Sequence, residues 1–178
     1  MKRAYQNIDE GRAIYKPLKK FEQLDFYFLA TLLLIILSGT FNIRVAGMVM
    51  LVFSSILSLL YFFTSMLKPE QSDDGRKAAF ITKLAGLASS ISLVGIQFEY
   101  MSWAMADRML LGGGLSLIVW LIFRFTFKET NPDFQRWMNR VSLRAIVLIG
   151  LTAMYYFIPD QTLVDAGLKK AKVEQNDF

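Results

Sequence analysis

Cysteine and histidine are both absent from this chain of 178 residues. Without cysteine there is no disulfide, no thiolate nucleophile and no zinc–thiolate cluster, and without histidine there is no imidazole base and no haem ligand of that kind. Most familiar catalytic and metal-binding arrangements are therefore excluded. The composition favours a protein that is not an enzyme and that carries no metal or cofactor.

Long polar segments are also scarce. Apolar residues make up 54% of the chain and form blocks instead of alternating with polar positions, which is typical of a membrane protein. A spanning helix needs roughly 20 mostly apolar residues. The blocks predict an all-α integral membrane bundle with five transmembrane helices, two helical hairpins plus one. The predicted spans are about 26–43, 45–67, 79–103, 109–127 and 141–158.

The segments on either side of this transmembrane domain, residues 24–158, are short. Residues 1–23 contain six basic residues, and we expect a cytoplasmic basic tail that lies partly on the lipid surface; a specific anionic-lipid site is the alternative. In the tail 159–178, we expect a short helix at the outer surface.

The basic residues flank the apolar blocks and form no stripe interleaved with aromatic residues. The net charge of +5 therefore does not predict nucleic-acid binding. With the amino terminus inside, 15 of the 20 basic residues fall on the inner side. The positive-inside rule predicts that orientation in a multi-pass protein of the bacterial inner membrane. Four spans are the alternative, if residues 145–158 do not cross.

Three basic residues, Lys83, Arg124 and Arg144, lie a few residues inside the predicted helix ends. A charge at the bilayer centre costs about 2.5–3.5 kcal/mol on insertion scales. Because all three fall on the predicted inner side, we expect their long side chains to reach the headgroups.

A separate short helix is predicted ahead of the last span. In "TNPDFQRWMNR", Asn131 can cap the helix and Pro132 suits its first position. Its apolar residues share one face, namely Phe134, Trp137, Met138 and Val141. That pattern indicates a helix lying at the membrane interface.

Small residues inside the spans are candidates for helix packing, because they let backbones approach closely in lipid. These are Gly86, Ser89, Ser90, Gly112, Gly113 and Gly114. The alternative is a polar pathway through the serines, although a pathway would normally need ionisable groups or broken helices.

An internal repeat supports two related hairpins. A shift of 59 positions aligns residues 47–62 with 106–121. Small residues then meet small ones, since Ser54 and Ser55 align with Gly113 and Gly114. Chance similarity between apolar segments is the alternative explanation.

The turn of the second hairpin, "FEYMSWAMADRML" at 98–110, concentrates charge between two apolar runs. The candidate functional or ion-pair cluster is Glu99, Asp107 and Arg108, with Arg44 from the first hairpin. We expect Glu99 to pair with Arg108 or Arg44 across the hairpin tips, at the outer interface.

This turn resembles the membrane hairpin of the GldL-like family, the gliding-motility and type 9 secretion motor proteins of Bacteroidota. Those hairpins carry Phe-Lys-x-x-His-Trp-Pro-Gly-Ala, then a Met-Leu or Leu-Leu pair and a glycine. The matching residues are Phe98, Trp103, Ala106, Met109, Leu110 and Gly113. The departures are Glu99 for lysine, Ser102 for histidine, and Ala104 and Met105 for Pro-Gly. The resemblance implies a helical inner-membrane component of a multi-subunit envelope machine.

The intramembrane glutamate of that motor, on the second helix of its hairpin, has no counterpart here. Neither 45–67 nor 109–127 contains a carboxylate. The sequence therefore predicts a subunit or accessory factor of a membrane-embedded complex, in contact with lipid and with other subunits or further copies of itself. A small channel or transporter with an outer vestibule at 99–108 is the alternative.

A lipid-modifying membrane enzyme is the third hypothesis, and it would depend on Asp73, Asp74 or Glu99. The segment "DDGRKAA" begins like the motif of transferases that use CDP-alcohols, but the later aspartates of that motif are missing. One or two carboxylates cannot assemble its divalent-metal site.

Overall fold

The structure is a computed structural model that describes residues 27–36, 46–66, 75–127 and 132–169. These residues form helices and turns and no strand. The helices are α1 (Tyr27–Ile36), α2 (Ala46–Ser65), α3 (Gly75–Tyr100), α4 (Ala106–Thr126), α5 (Pro132–Phe157) and α6 (Asp160–Asp165). The predicted all-α class is confirmed for the part of the chain described.

Four helices, α2 to α5, are long and apolar enough to cross a membrane. Their outward faces carry large apolar side chains, such as Val52 on α2 and Leu115 on α4, which are 61% and 59% exposed. A surface of this kind is suited to lipid. Of the predicted first span, 26–43, the structure describes only the ten residues of α1.

Helix α3 is the centre of the bundle and packs against α2, α4 and α5. Over its apolar stretch, 56% of the residues are buried, compared with 28% for α4. Trp120 of α4 is fully buried and donates a hydrogen bond of 3.0 Å from Nε1 to the Ile81 carbonyl of α3. This bond joins the end of α4 to the beginning of α3, so the two helices run antiparallel.

The predicted interfacial helix before the last span is wrong. Residues 132–157 form one continuous helix, α5. Its side chains Phe134 and Met138 are buried. They form a small cluster with Ala78 of α3, and Phe127 packs against that cluster. The apolar face therefore covers the bundle. At 1.5 Å per residue, α5 is on the order of 39 Å long, which exceeds the roughly 30 Å of hydrocarbon.

Helix α5 ends at Phe157, two residues before Pro159, which cannot continue a helix because its ring occupies the position of the N–H. The short helix α6 starts directly after that proline. The expected helix in the tail 159–178 is thus present over Asp160–Asp165, and the first tail, 1–23, lies outside the described residues.

Candidate functional site

The segment after α5 folds back over one end of the bundle, and we call residues 159–169 the cap. Its helix α6 ends at Asp165, and two residues later Gly167 has a φ of 71°, in the left-handed region that glycine adopts without strain. The turn lets the amide of Leu168 donate a 2.8 Å hydrogen bond to the Leu163 carbonyl. Leu163 is buried in the main core. The cap is therefore an ordered part of the bundle.

Lys169 lies at the end of the cap and carries the ion pairs of this site. Its ammonium contacts the Glu99 carboxylate at the end of α3 and lies 2.7 Å from Asp160 Oδ1 at the start of α6. Lys169 and Glu99 are only 7% and 5% exposed. A buried charge is strongly unfavourable unless it is paired, so each residue requires the other. We call Glu99, Asp160 and Lys169 the ionic cluster.

The protonation of Lys169 follows from its surroundings. Burial lowers the pKa of the ammonium, but the hydrogen bonds and negative charges of Asp160 and Glu99 outweigh this effect, and the net result is a raised pKa. Lys169 therefore stays charged at neutral pH.

A tyrosine adds a second attachment between the cap and the bundle. The hydroxyl of Tyr155, near the end of α5, donates a 3.0 Å hydrogen bond to the Leu168 carbonyl. Tyr155 itself is buried. The cap is thus attached by one neutral contact at Leu168 and one ionic contact at the next residue, Lys169.

The turn between α3 and α4 positions Glu99. Ser102 and Met105 have positive φ values of 55° and 69°, which are uncommon for residues other than glycine. The amides of Ser102 and Trp103 donate hydrogen bonds of 3.0 and 2.9 Å to the carbonyls of Glu99 and Phe98. The chain therefore reverses immediately after Glu99 and leaves its carboxylate facing the cap.

Of the two predicted partners of Glu99, Arg108 does not pair with it. The carboxylate contacts the ammonium of Lys169 instead. Asp107 and Arg108 lie exposed on the first turn of α4, and Arg44 lies outside the described residues. No local pattern could indicate the contact, because 70 positions separate Glu99 from Lys169.

Three of the predicted packing glycines lie at close contacts between helices. A Cβ on Gly86 would come within 2.6 Å of the Tyr61 carbonyl of α2, and one on Gly113 within 2.6 Å of the Ser92 backbone of α3. One on Gly114 would lie 3.1 Å from Thr152 of α5. Gly112 differs, since a Cβ there would meet nothing within 4 Å among the described residues.

The intramembrane serines bond across helix interfaces. Ser58 of α2 and Ser90 of α3 share a 2.8 Å hydrogen bond, and Ser92 and Thr152 share a buried one of 2.7 Å. Ser89, also predicted for packing, is buried and donates to the Ala85 carbonyl of its own helix at 2.8 Å. The hydroxyls that bond between helices hold those helices together, as polar groups do in lipid.

Several basic side chains lie at the opposite end of the bundle. The Arg124 guanidinium donates a 2.8 Å hydrogen bond from Nη2 to Asn139 Oδ1, and Lys83 is exposed. Arg144 departs from the prediction that all three charges would reach the headgroups. It is 5% exposed, and its guanidinium carbon lies 4.3 Å from the centre of the Tyr61 ring, a cation–π contact.

Within the described residues, no group of three or more acidic side chains could hold a metal ion. Asp73 and Asp74, the candidates for a divalent site, lie outside those residues.

No protein family, no curated protein and no solved structure matches the chain.

Proposed function

We propose that this chain is a five-span protein of the bacterial inner membrane with its amino terminus inside, and that it acts without catalysis as a subunit or accessory factor of a membrane-embedded complex. Helix α1 supports the additional span, because Leu29, Leu32 and Ile36 belong to the main core. Phe28 also lies against Phe53 of α2, with ring centres 6.1 Å apart.

The distribution of basic residues along the bundle supports the orientation. Among the residues that the structure describes, only Arg108 and Lys169 are basic at the end with the cap. The other end has Lys77, Lys83, Arg124, Arg136, Arg140 and Arg144. Lysine and arginine are retained on the cytoplasmic side of membrane proteins. We therefore assign the basic end to the inside.

We propose that the outward face of α4 is the surface on which another subunit docks. The residues around Gly112 on this face are large and exposed, as at Leu111 and Leu115. The glycine leaves a shallow position among them, where a Cβ would have no described neighbour within 4 Å. A helix of another subunit can approach closely at a glycine. Because α4 has the smallest buried share of the four long helices, it has the most surface for such a partner.

The contacts of Glu99 and of the serines favour this role over a channel with a vestibule at 99–108. Lys169 covers the Glu99 carboxylate, and Ser90 and Ser92 of α3 bond to hydroxyls of neighbouring helices. The GldL-like resemblance of residues 98–113 points in the same direction, to a component of an envelope assembly.

A substitution at Gly112 tests the proposal. The Gly112→Leu variant and a matched control, Gly150→Leu, are purified in mild detergent from native membranes, and co-purifying proteins are identified by mass spectrometry. A Cβ on Gly150 of α5 would also meet no described atom within 4 Å, so both variants are expected to fold. We expect Gly112→Leu to lose a partner, or a second copy of the chain, that the wild type and Gly150→Leu retain.

Equal partner sets for the two variants would contradict docking through α4. A wild-type protein that purifies alone and conducts ions or solutes in liposomes would contradict the docking role altogether and support the channel.

A further inference from the structure

The outward face of α4 begins with two opposite charges. Asp107 and Arg108 are neighbours on the first turn of the helix, and both side chains are exposed. Neither forms an ion pair with another described residue, since the ion pairs at this end of the bundle belong to Lys169. The carboxylate and the guanidinium are therefore both available to a neighbouring molecule.

A hydroxyl without a partner lies further along the same helix. Ser116 is four positions after Gly112, so the two residues share one side of α4. Ser116 is half-buried and forms no hydrogen bond with a described residue. By contrast, Ser55 on α2 is exposed but donates to the Leu51 carbonyl at 2.7 Å. Acyl chains offer no hydrogen-bond partner, whereas a neighbouring protein can supply one.

The apolar part of this face has the shape for a neighbouring helix. Its large side chains include Leu115 and Val119, which are 59% and 44% exposed. Gly112 leaves a low position beside them, because a Cβ there would meet no described atom within 4 Å. Small residues four positions apart, such as Gly112 and Ser116, let two helices approach closely in lipid.

The polar groups of this face identify the neighbour, because they complement a second copy of themselves. Copies of one chain share one orientation in the membrane, so a two-fold axis between them runs along the membrane normal and brings the same residues to the same depth. Asp107 of each copy then lies level with Arg108 of the other, which gives two reciprocal ion pairs. Since a hydroxyl both donates and accepts, two Ser116 side chains can bond each other across the axis.

We propose that the partner docked on α4 is a second copy of the chain, and that the two copies pack α4 against α4 about a two-fold axis near Gly112 and Ser116. Reciprocal pairs of Asp107 and Arg108 join the copies at the capped end. This inference rests on the proposed docking role of α4 and specifies the partner.

Disulfide cross-linking tests the contact. The chain has no cysteine, so a single introduced cysteine can link two copies only through itself. Residues beside a two-fold axis reach the separation of about 3.5–4.5 Å between Cβ atoms that a disulfide needs. In native membranes treated with copper phenanthroline, we expect Ser116→Cys to form a species of twice the chain mass that contains only this chain. Ser55→Cys, the same change on the exposed face of α2, is the matched control and should remain at the mass of one copy.

Charge reversal tests the reciprocal pairs. Asp107→Arg places like charges opposite each other twice, by symmetry, and should weaken self-association in detergent about tenfold. Adding Arg108→Asp to the same chain restores opposite charges and should recover most of the affinity. Native mass spectrometry measures the fraction of paired copies, and a double reversal as weak as the single one would overturn the reciprocal pairing.

The outcomes separate this inference from the docking role itself. A cross-link of Ser116→Cys to a different protein, or loss of a different protein from Gly112→Leu, would overturn the second copy and leave docking through α4 intact. Equal doubling in Ser55→Cys, or no doubling in Ser116→Cys, would overturn the two-fold contact. If Gly112→Leu also keeps every partner, the docking role falls with it.

Discussion

The two ends of the bundle differ in how their charged side chains are buried and paired. At the capped end, Glu99 and Lys169 are buried and neutralise each other. At the basic end, Arg140 is exposed and Arg124 bonds a neutral amide. A buried pair costs desolvation of both charges but permits one arrangement only, whereas exposed charges cost little and stay available to a ligand. A specific ion pair thus holds one end closed, whereas the other end keeps Arg140 at the surface.

The largest expected effect of a single substitution is at the ionic cluster. Lys169→Met leaves Glu99 buried beside an apolar side chain. Breaking a buried pair by removing one partner typically costs about 3–5 kcal/mol. We expect the free energy of unfolding in mixed detergent to fall by that order.

The double variant Glu99→Gln, Lys169→Met is the control for this experiment. It removes both charges, and most of the loss should be recovered. If the single and double variants are equally unstable, the loss arises from packing of the cap and the ion pair contributes nothing.

The contact between α3 and α4, on which both ends depend, is expected to give the next largest effect. Gly113→Val would force a side chain against the Ser92 backbone, and overpacking of this kind costs about 1–3 kcal/mol. At Gly112, one residue earlier, a Cβ would meet no described atom within 4 Å, so Gly112→Val should change stability by less than about 0.5 kcal/mol. Thermal unfolding measures both, and equal losses would contradict the described packing of α4.

Arg144 tests whether a buried cation at the basic end matters as much as Lys169 does at the other. Its contact with the Tyr61 ring is worth up to about 2 kcal/mol when desolvated. Arg144→Met should therefore cost less than Lys169→Met. The exposed Arg140→Met, one turn earlier on α5, should be near neutral. A loss at Arg144 larger than that at Lys169 would reverse the comparison.

A change of pH within the neutral range is expected to have the smallest effect on the stability of the cap. Since the pKa of Lys169 is raised in the folded protein, its contribution to stability is complete below the ordinary lysine value of 10.5 and is lost as the pH rises through the raised value. A spin label at Gln161→Cys in the cap should stay immobile at neutral pH and become mobile only in strong alkali. A label at Gln135→Cys, at the basic end, should not follow this transition. Release of the cap near neutral pH would contradict the assigned pairing.

The long helices could be predicted because the signal is local. An apolar block of about 20 residues must be a helix in lipid, and the predicted spans 45–67, 79–103 and 109–127 correspond to α2, α3 and α4 with differences of a few residues. The start of α5 could not be predicted in the same way. Its apolar face suits the membrane interface and the bundle equally well, and only the tertiary contact of Phe134 with the Ala78 cluster decides between them.

The site was predicted in part. Glu99 was identified because a carboxylate at the end of an apolar run is unusual, but its partner Lys169 lies in a cluster of lysines that reads as a solvated tail. Likewise, the sequence alone does not show which neighbour each of Gly112, Gly113 and Gly114 faces. Their positions around the helix axis, about 100° apart, direct one outward, one to α3 and one to α5. Such distinctions depend on the neighbours of each helix face.

The assignment of the two ends to opposite sides of the membrane is the central claim, and single-cysteine labelling tests it most directly. The chain has no cysteine of its own, so Asp107→Cys and Arg140→Cys each give one reactive thiol, at exposed positions of the capped and basic ends. With an impermeant maleimide on intact cells, we expect Asp107→Cys to react and Arg140→Cys to react only after permeabilisation. Labelling of both from outside, or the reverse pattern, would contradict the account.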